Sequence, residues 1–328
     1  MSGFAAVTAA VLALLPLPVA AMSVTQRIAV PDGGWDYASF DGAGNRLMVA
    51  RTDGVMTIAA ATGTVTPQLV AAQRLHAAFV IPGTKIGVLT SSTSGGAMLF
   101  DAATGKVTAD LKTGSKPDAA VYDPVTKTVL VMDNKDGTIT LIDPVAAKVT
   151  GTVTVGGALE FAAIDGQGRV FVNVEDKSEL AMVDIVQRAV VRRTALPGCE
   201  EPSGLAYTTG GDLIAACANG VAKVVEAKSG KARGDIRIGA HPDAVLYDAA
   251  RDRAYVPAGG DGTLTVIDTG RGHPPRAIAT VATAKGARTG AIDPKTGTVY
   301  LPVARYEAAV AGARPKMIPG SVEILVVR

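Results

Sequence analysis

The chain has 328 residues, 48% of them hydrophobic, and 32 Lys and Arg nearly cancel 30 Asp and Glu to leave a formal charge of +2. With no basic run and only 4% aromatic residues, it lacks both the electrostatic footprint and the stacking platforms of a nucleic-acid-binding protein. The 37 Gly and 18 Pro suit many tight turns between short β-branched strands and exclude a helical bundle.

The first element, residues 1–21, is expected to be a secretory signal peptide. Phe4 to Val19 is apolar, Pro16 and Pro18 lie near its end, and Val19-Ala20-Ala21 offers small residues for cleavage. No Lys or Arg precedes the apolar run, and no Cys follows it to carry a lipid anchor. The competing reading, a membrane anchor, fits poorly with a run that is short for a bilayer and broken by prolines. The mature chain, 22–328, is then expected in the periplasm or outside the cell, with no stable membrane insertion. An oxidising compartment would allow Cys199 and Cys217 to join, which for a loop of this size is worth about 3 kcal/mol. The alternative is two buried free thiols.

From residue 33 onward the chain repeats. Tyr122-Asp123 closes a first strand, and the same point recurs at Asp41, Pro82, Asp165, Thr208, Asp248 and Asp293, a period of about forty residues. That period predicts an all-β, seven-bladed β-propeller of four-stranded antiparallel blades. The blades are expected over 33–70, 71–113, 114–155, 156–196, 197–238, 239–283 and 284–328. Each first strand, such as Asp118–Tyr122, leads through a turn such as Asp123-Pro124-Val125-Thr126-Lys127 into a second strand. Asp-Gly or Asn-Gly marks the next hairpin at Asp53-Gly54, Asp136-Gly137, Asn219-Gly220 and Asp261-Gly262. A third strand ends on an acidic residue, as at Asp143, Asp184 and Asp268, before the fourth begins. The last repeat stops one strand short. Strand 25–30 is the expected substitute, closing the ring into a single domain and removing both exposed edges. Between the second and third strands of this repeat, Ala304–Gly320 is an insertion carrying Arg305, Tyr306, Glu307, Arg314 and Lys316. It is either a lid or contact loop, or a tolerated surface insertion.

Pro117-Asp118-Ala119 and Pro242-Asp243-Ala244, with Asp136–Asp143 (DGTITLID) and Asp261–Asp268 (DGTLTVID), give the chain a resemblance to the YVTN-repeat, YncE-like family of bacterial propellers. The naming tetrapeptide survives only as Phe171-Val172-Asn173 and Tyr255-Val256-Pro257. Cys199-Glu200-Glu201-Pro202 followed by Cys217-Ala218-Asn219-Gly220 also resembles a pattern in exported members. The resemblance implies an exported propeller and supplies architecture more than chemistry.

In such a fold the loops leading into first strands gather on one face around the central channel. They carry Trp35, Asp36 and Tyr37; Arg74 and His76; Lys116 and Asp118; Glu160 and Phe161; Glu200 and Glu201; His241 and Asp243; and Arg288. Asp118 and Asp243 recur in phase, which points to hydrogen bonding with neighbouring backbone. Trp35, Tyr37, Arg74, His76, Glu160, Glu201, His241, Arg288 and, in the insertion, Arg305 are therefore the candidate ligand-binding residues. No catalytic residue is assigned, because no nucleophile elbow, phosphate-cradling loop or dinucleotide fingerprint is present. No His-X-His or Glu-X-X-His spacing marks a metal site, so no cofactor is expected; the exceptions would be an ion shared by His76 and His241 at the channel axis or a divalent cation on Glu160, Glu201 and backbone carbonyls. The expected function is a monomeric, non-catalytic binding or scaffolding propeller that holds a protein, peptide or small molecule at the channel mouth. The alternative is a lactonase-like hydrolase or isomerase using a funnel carboxylate with His76 or His241 and a divalent cation.

Overall fold

The computed structural model describes residues 22–308 and 315–328. The signal peptide expected over 1–21 and Arg314 of the insertion lie outside the described residues.

Seven four-stranded antiparallel sheets follow one another around a ring. The third is representative, with strands Pro117–Asp123, Thr128–Asp133, Thr138–Asp143 and Lys148–Thr154. Its middle strands read as near-continuous apolar runs because a blade is covered on both faces by its neighbours; Val129 to Met132 are all buried. The fourth strands lie at the rim and alternate instead, as in Val107–Lys112, where exposed and half-buried residues take turns. The seventh sheet is completed by the other end of the chain. Val24–Ala29 pairs antiparallel with Glu323–Val327, which pairs with Val299–Val303 and then Ala291–Ile292. The joint is packed as well as hydrogen-bonded: Leu47, Val49 and Ile58 of the first blade share a cluster with Tyr300, Ile324 and Val326 of the last. Phe40 stacks on Tyr300 with ring centroids 5.9 Å apart.

The Asp-Gly hairpins differ from two-residue turns in one respect. Positive φ falls on the glycine alone, at 64° for Gly137, 82° for Gly220 and 68° for Gly262. The Gly137 N–H closes a wider turn on the Asp133 carbonyl at 2.9 Å. The aspartate is thereby released for another task. Asp136 Oδ2 accepts the Ser115 N–H at 2.7 Å, and Asp261 Oδ2 accepts the Ala240 N–H at 2.9 Å, tying each hairpin to the loop that leads into the first strand.

Cys199 and Cys217 are joined, with Cα atoms 5.3 Å apart. The bridge fastens the loop before the strand Pro202–Tyr207 to the end of the strand Asp212–Cys217, on the face where the channel opens.

Candidate functional site

The first strand of each of the first five blades breaks register just after its first pair. The irregularities fall between Trp35 and Ala38, Leu75 and Ala78, Pro117 and Ala120, Leu159 and Ala162, and Pro202 and Leu205. A bulge releases its residues from the ladder and re-aims their side chains. The released pairs are Asp36-Tyr37, His76-Ala77, Asp118-Ala119, Glu160-Phe161 and Ser203-Gly204. Backbone groups freed in this way need other partners. Neighbouring blades supply them: Thr289 Oγ1 donates to the Asp36 carbonyl at 2.8 Å, and Thr90 Oγ1 to that of Asp118 at 2.6 Å. Asn134 Nδ2 donates to the Leu159 carbonyl at 3.0 Å, and Asn173 Nδ2 to that of Ser203 at 2.8 Å.

The second residue of each pair shapes the channel. Alanine or glycine stands at Ala77, Ala119 and Gly204, and a Cβ on Gly204 would meet the Ala244 backbone at 2.4 Å. The space left by these small residues is filled by two aromatics. Tyr37 of the first blade meets Phe161 of the fourth edge-on, with centroids 5.3 Å apart, and Tyr37 is buried. Beyond this plug, alanines and apolar side chains of blades one to four line a cavity of about 350 Å³.

The first residue of each pair charges the mouth above the plug. His76 Nδ1 stands 2.7 Å from Asp36 Oδ2 and 3.5 Å from Asp118 Oδ1, while its Nε2 stands 2.8 Å from Ser92 Oγ. Ligand atoms of Asp36, His76 and Asp118 all lie within 4.8 Å of one another, a set able to hold a metal ion. Burial alone would lower the His76 pKa, but the Asp36 hydrogen bond and the Asp118 charge outweigh it and hold it raised. Burial pushes Asp118 up to about 6, Asp36 and Glu175 adding to it against His76 and Lys116. Glu160 accepts Asn134 Nδ2 at 2.9 Å and the Tyr37 hydroxyl at 3.4 Å. Burial first, then the charges of Asp118, Glu175 and Asp243, drive Glu160 up to about 9, so it stays neutral at pH 7. Asp243, half-buried in the channel wall, is pushed to about 7 by burial, with Arg288 Nε at 3.3 Å opposing the shift. Beside this ring, Trp35, Asp36, Arg288, Thr289 and Tyr306 line a cavity of about 270 Å³.

Of the residues expected at the site, Trp35, Tyr37, His76, Glu160 and Arg288 come together at this mouth. Arg74, Glu201 and His241 occupy a different repeated position, just before the strand, where φ is 50°, 46° and 52° and the side chains are exposed on the rim, as at Lys116. Arg305 is exposed at the base of the insertion, which begins as a short hairpin: the Ile318 N–H reaches the Arg305 carbonyl at 2.9 Å. Two readings of the sequence need correction. His76 and Glu160 are in phase after all, sharing one strand position with Asp36, Asp118, Ser203 and Asp243, and only the residue type changes. The backbone hydrogen bonds expected of the Asp118 and Asp243 carboxylates are not found among the described residues. Asp36 and Asn134 escaped selection because each has its partner, His76 or Glu160, in another blade. Glu160 and Glu201 do not fall in a metal-capable cluster among the described residues; Asp36, His76 and Asp118 do. On the opposite face, Arg251, Arg253, Tyr255, Lys295 and Tyr300 line a further cavity of about 550 Å³.

No protein-family model matches the chain, and no curated protein matches it in sequence. Solved structures do match. A chain of hydrazine synthase from Kuenenia stuttgartiensis superposes with a TM-score of 0.71 at 16% identity, over 88% of this chain and 97% of that one. A chain of a mitotic checkpoint complex gives 0.75 at 10% identity, over 95% and 96%, and U3-55K gives 0.73 at 8%, over 92% and 97%. At these identities the likeness establishes the seven-bladed propeller fold.

Proposed function

We propose that the chain is an exported propeller of the YVTN-repeat, YncE-like type that binds a small molecule, peptide or protein at the channel mouth without transforming it. The observation that carries this reading is the bulged ring, which brings charged side chains from several blades to one mouth. A mouth closed below by the Tyr37–Phe161 pair and flanked by Trp35 and Arg288 suits a bound ligand. The likeness to a chain of a mitotic checkpoint complex is compatible with a scaffolding role for the propeller. The disulfide supports the periplasm or the exterior, and no helix among the described residues is long and apolar enough to cross a membrane. One observation favours the lactonase-like alternative: Glu160 is a carboxyl kept neutral at pH 7, the state a general acid requires. A thermal-shift panel of small molecules and peptides, run beside a lactone and ester hydrolysis screen, tests both. Binding without turnover, lost in Glu160→Gln and Arg288→Ala, is expected. Turnover abolished by Glu160→Gln would establish the hydrolase, and ligand shifts unchanged in both variants would remove the mouth as the site.

A further inference from the structure

We propose that Asp36, His76 and Asp118 form a binding site for one divalent first-row transition-metal ion, assembled from three successive blades.

The geometry is close to what such an ion imposes. Cis ligands at metal distances of about 2.1 Å stand roughly 3.0 to 3.4 Å apart in octahedral or tetrahedral sites. Here His76 Nδ1 stands 2.7 Å from Asp36 Oδ2 and 3.5 Å from Asp118 Oδ1, with all three ligand atoms inside 4.8 Å. The imidazole is held for the role from behind: when an ion displaces the Nδ1 proton shared with Asp36, Nε2–H donates to Ser92 Oγ, 2.8 Å away, and the Nδ1 lone pair is turned to the metal. That outer contact is the usual way a protein fixes the tautomer of a ligating histidine.

A second, independent observation is Asp118 itself. It is 5% exposed, and among the described residues its carboxylate accepts no hydrogen bond; its nearest cationic groups are His76 at 3.5 Å and Lys116 at 3.7 Å. A carboxylate taken out of water without donors is costly unless a counter-charge sits against it. The surroundings deepen the shortage. Asp36, Glu175 and Asp243 bear on the same space, opposed by Lys116 and Arg288. One imidazole with two carboxylates favours the ions that accept nitrogen, Mn²⁺ through Zn²⁺, over calcium, which prefers an all-oxygen shell. Asp36 also lines the cavity of about 270 Å³ that Trp35, Arg288 and Tyr306 share.

The inference rests on the proposed function only in placing a ligand at the mouth, and its test reads the ion directly. The full chain, stripped with a chelator and dialysed, is titrated calorimetrically with Zn²⁺, Mn²⁺ and Ca²⁺ separately. One Zn²⁺ or Mn²⁺ per chain at micromolar affinity or better is expected, with Ca²⁺ much weaker. Asp118→Asn and Asp36→Asn should each weaken binding about 100-fold and Ser92→Ala about 10-fold. His273→Asn, which alters the histidine 3.5 Å from Asp268 on the other face, should leave it unchanged. Metal should raise the melting temperature of the native chain but not of Asp118→Asn. If His76→Asn fails to fold, the two aspartate variants carry the test, since each keeps the shape of the side chain. No binding at millimolar ion, equal affinity for Ca²⁺, or undiminished binding by Asp118→Asn would overturn the site while leaving an organic ligand at the mouth untouched.

Discussion

On the face of the first hairpins, Asp41, Asp123, Asp248 and Asp293 each accept a backbone or hydroxyl donor from the turn that follows; Asp123 Oδ2, for example, takes the Thr126 N–H at 2.9 Å. On the channel face, Asp118 and Asp243 stand at equally regular places in their blades, yet among the described residues neither carboxylate accepts a backbone N–H. Recurrence in a repeat therefore does not separate a structural aspartate from a functional one. What separates them is where the hydrogen bonds go. The turn aspartates complete the backbone, whereas burial raises the pKa of the channel aspartates and makes their charged form costly, a cost that a bound cation can offset.

The two sets should respond oppositely to substitution. The largest effect is expected at Asp248, whose buried side chain accepts the Ala250 N–H at 3.1 Å, the Arg251 N–H at 3.2 Å and Arg251 Nη1 at 2.8 Å. Asp248→Ala should lose about 2 to 3 kcal/mol in urea denaturation at pH 7. In the channel, Glu160 at about 9 and Asp243 at about 7 lie above their ordinary values of 4.5 and 3.8. A carboxyl with a raised folded pKa favours the fold most below its ordinary pKa, and that contribution is lost as pH rises through the raised value. Glu160→Gln should therefore match the native chain near pH 4 and exceed it by about 2 kcal/mol above pH 9, read from denaturation midpoints across pH. Asp243→Asn should gain about 1 kcal/mol near pH 8.5, reduced by loss of the Arg288 contact. The smallest change is expected at Asp101, a surface turn residue whose pKa is lowered by the Thr104 hydroxyl and N–H, each at 2.8 Å. Its contribution is present above the ordinary carboxylate pKa and disappears as pH falls through the folded value. Asp101→Asn should thus weaken the fold slightly at pH 7 and not at pH 2, the reverse of the channel pattern.

The blade count and the closing strand were legible because turns write themselves into sequence. Asp293-Pro294-Lys295-Thr296-Gly297 and Asp136-Gly137 demand particular backbone conformations wherever they occur, so they keep their phase. The mouth was only half legible. Tyr37, His76 and Glu160 were picked out, but their position is fixed by a bulge that leaves no compositional mark, since Asp36, His76, Asp118, Glu160 and Ser203 share it without sharing chemistry. Setting the blades in register on the residue facing the end of the second strand, Leu75 opposite Ser91 or Pro117 opposite Asp133, would have aligned them. Arg74, Glu201 and His241 looked equally promising for want of that register. They fall one step before the strand, at a left-handed turn.

The contact between Tyr37 and Phe161 gives the mouth a floor made of two aromatic rings. Both rings also line the cavity of about 350 Å³ among blades one to four, so a ligand resting on them bears on that cavity as well. A second molecule seated on the upper face would then govern the residence time of the occupant without touching it. The rate of exchange and the strength of binding become separately adjustable properties, one set by the lid and the other by the floor.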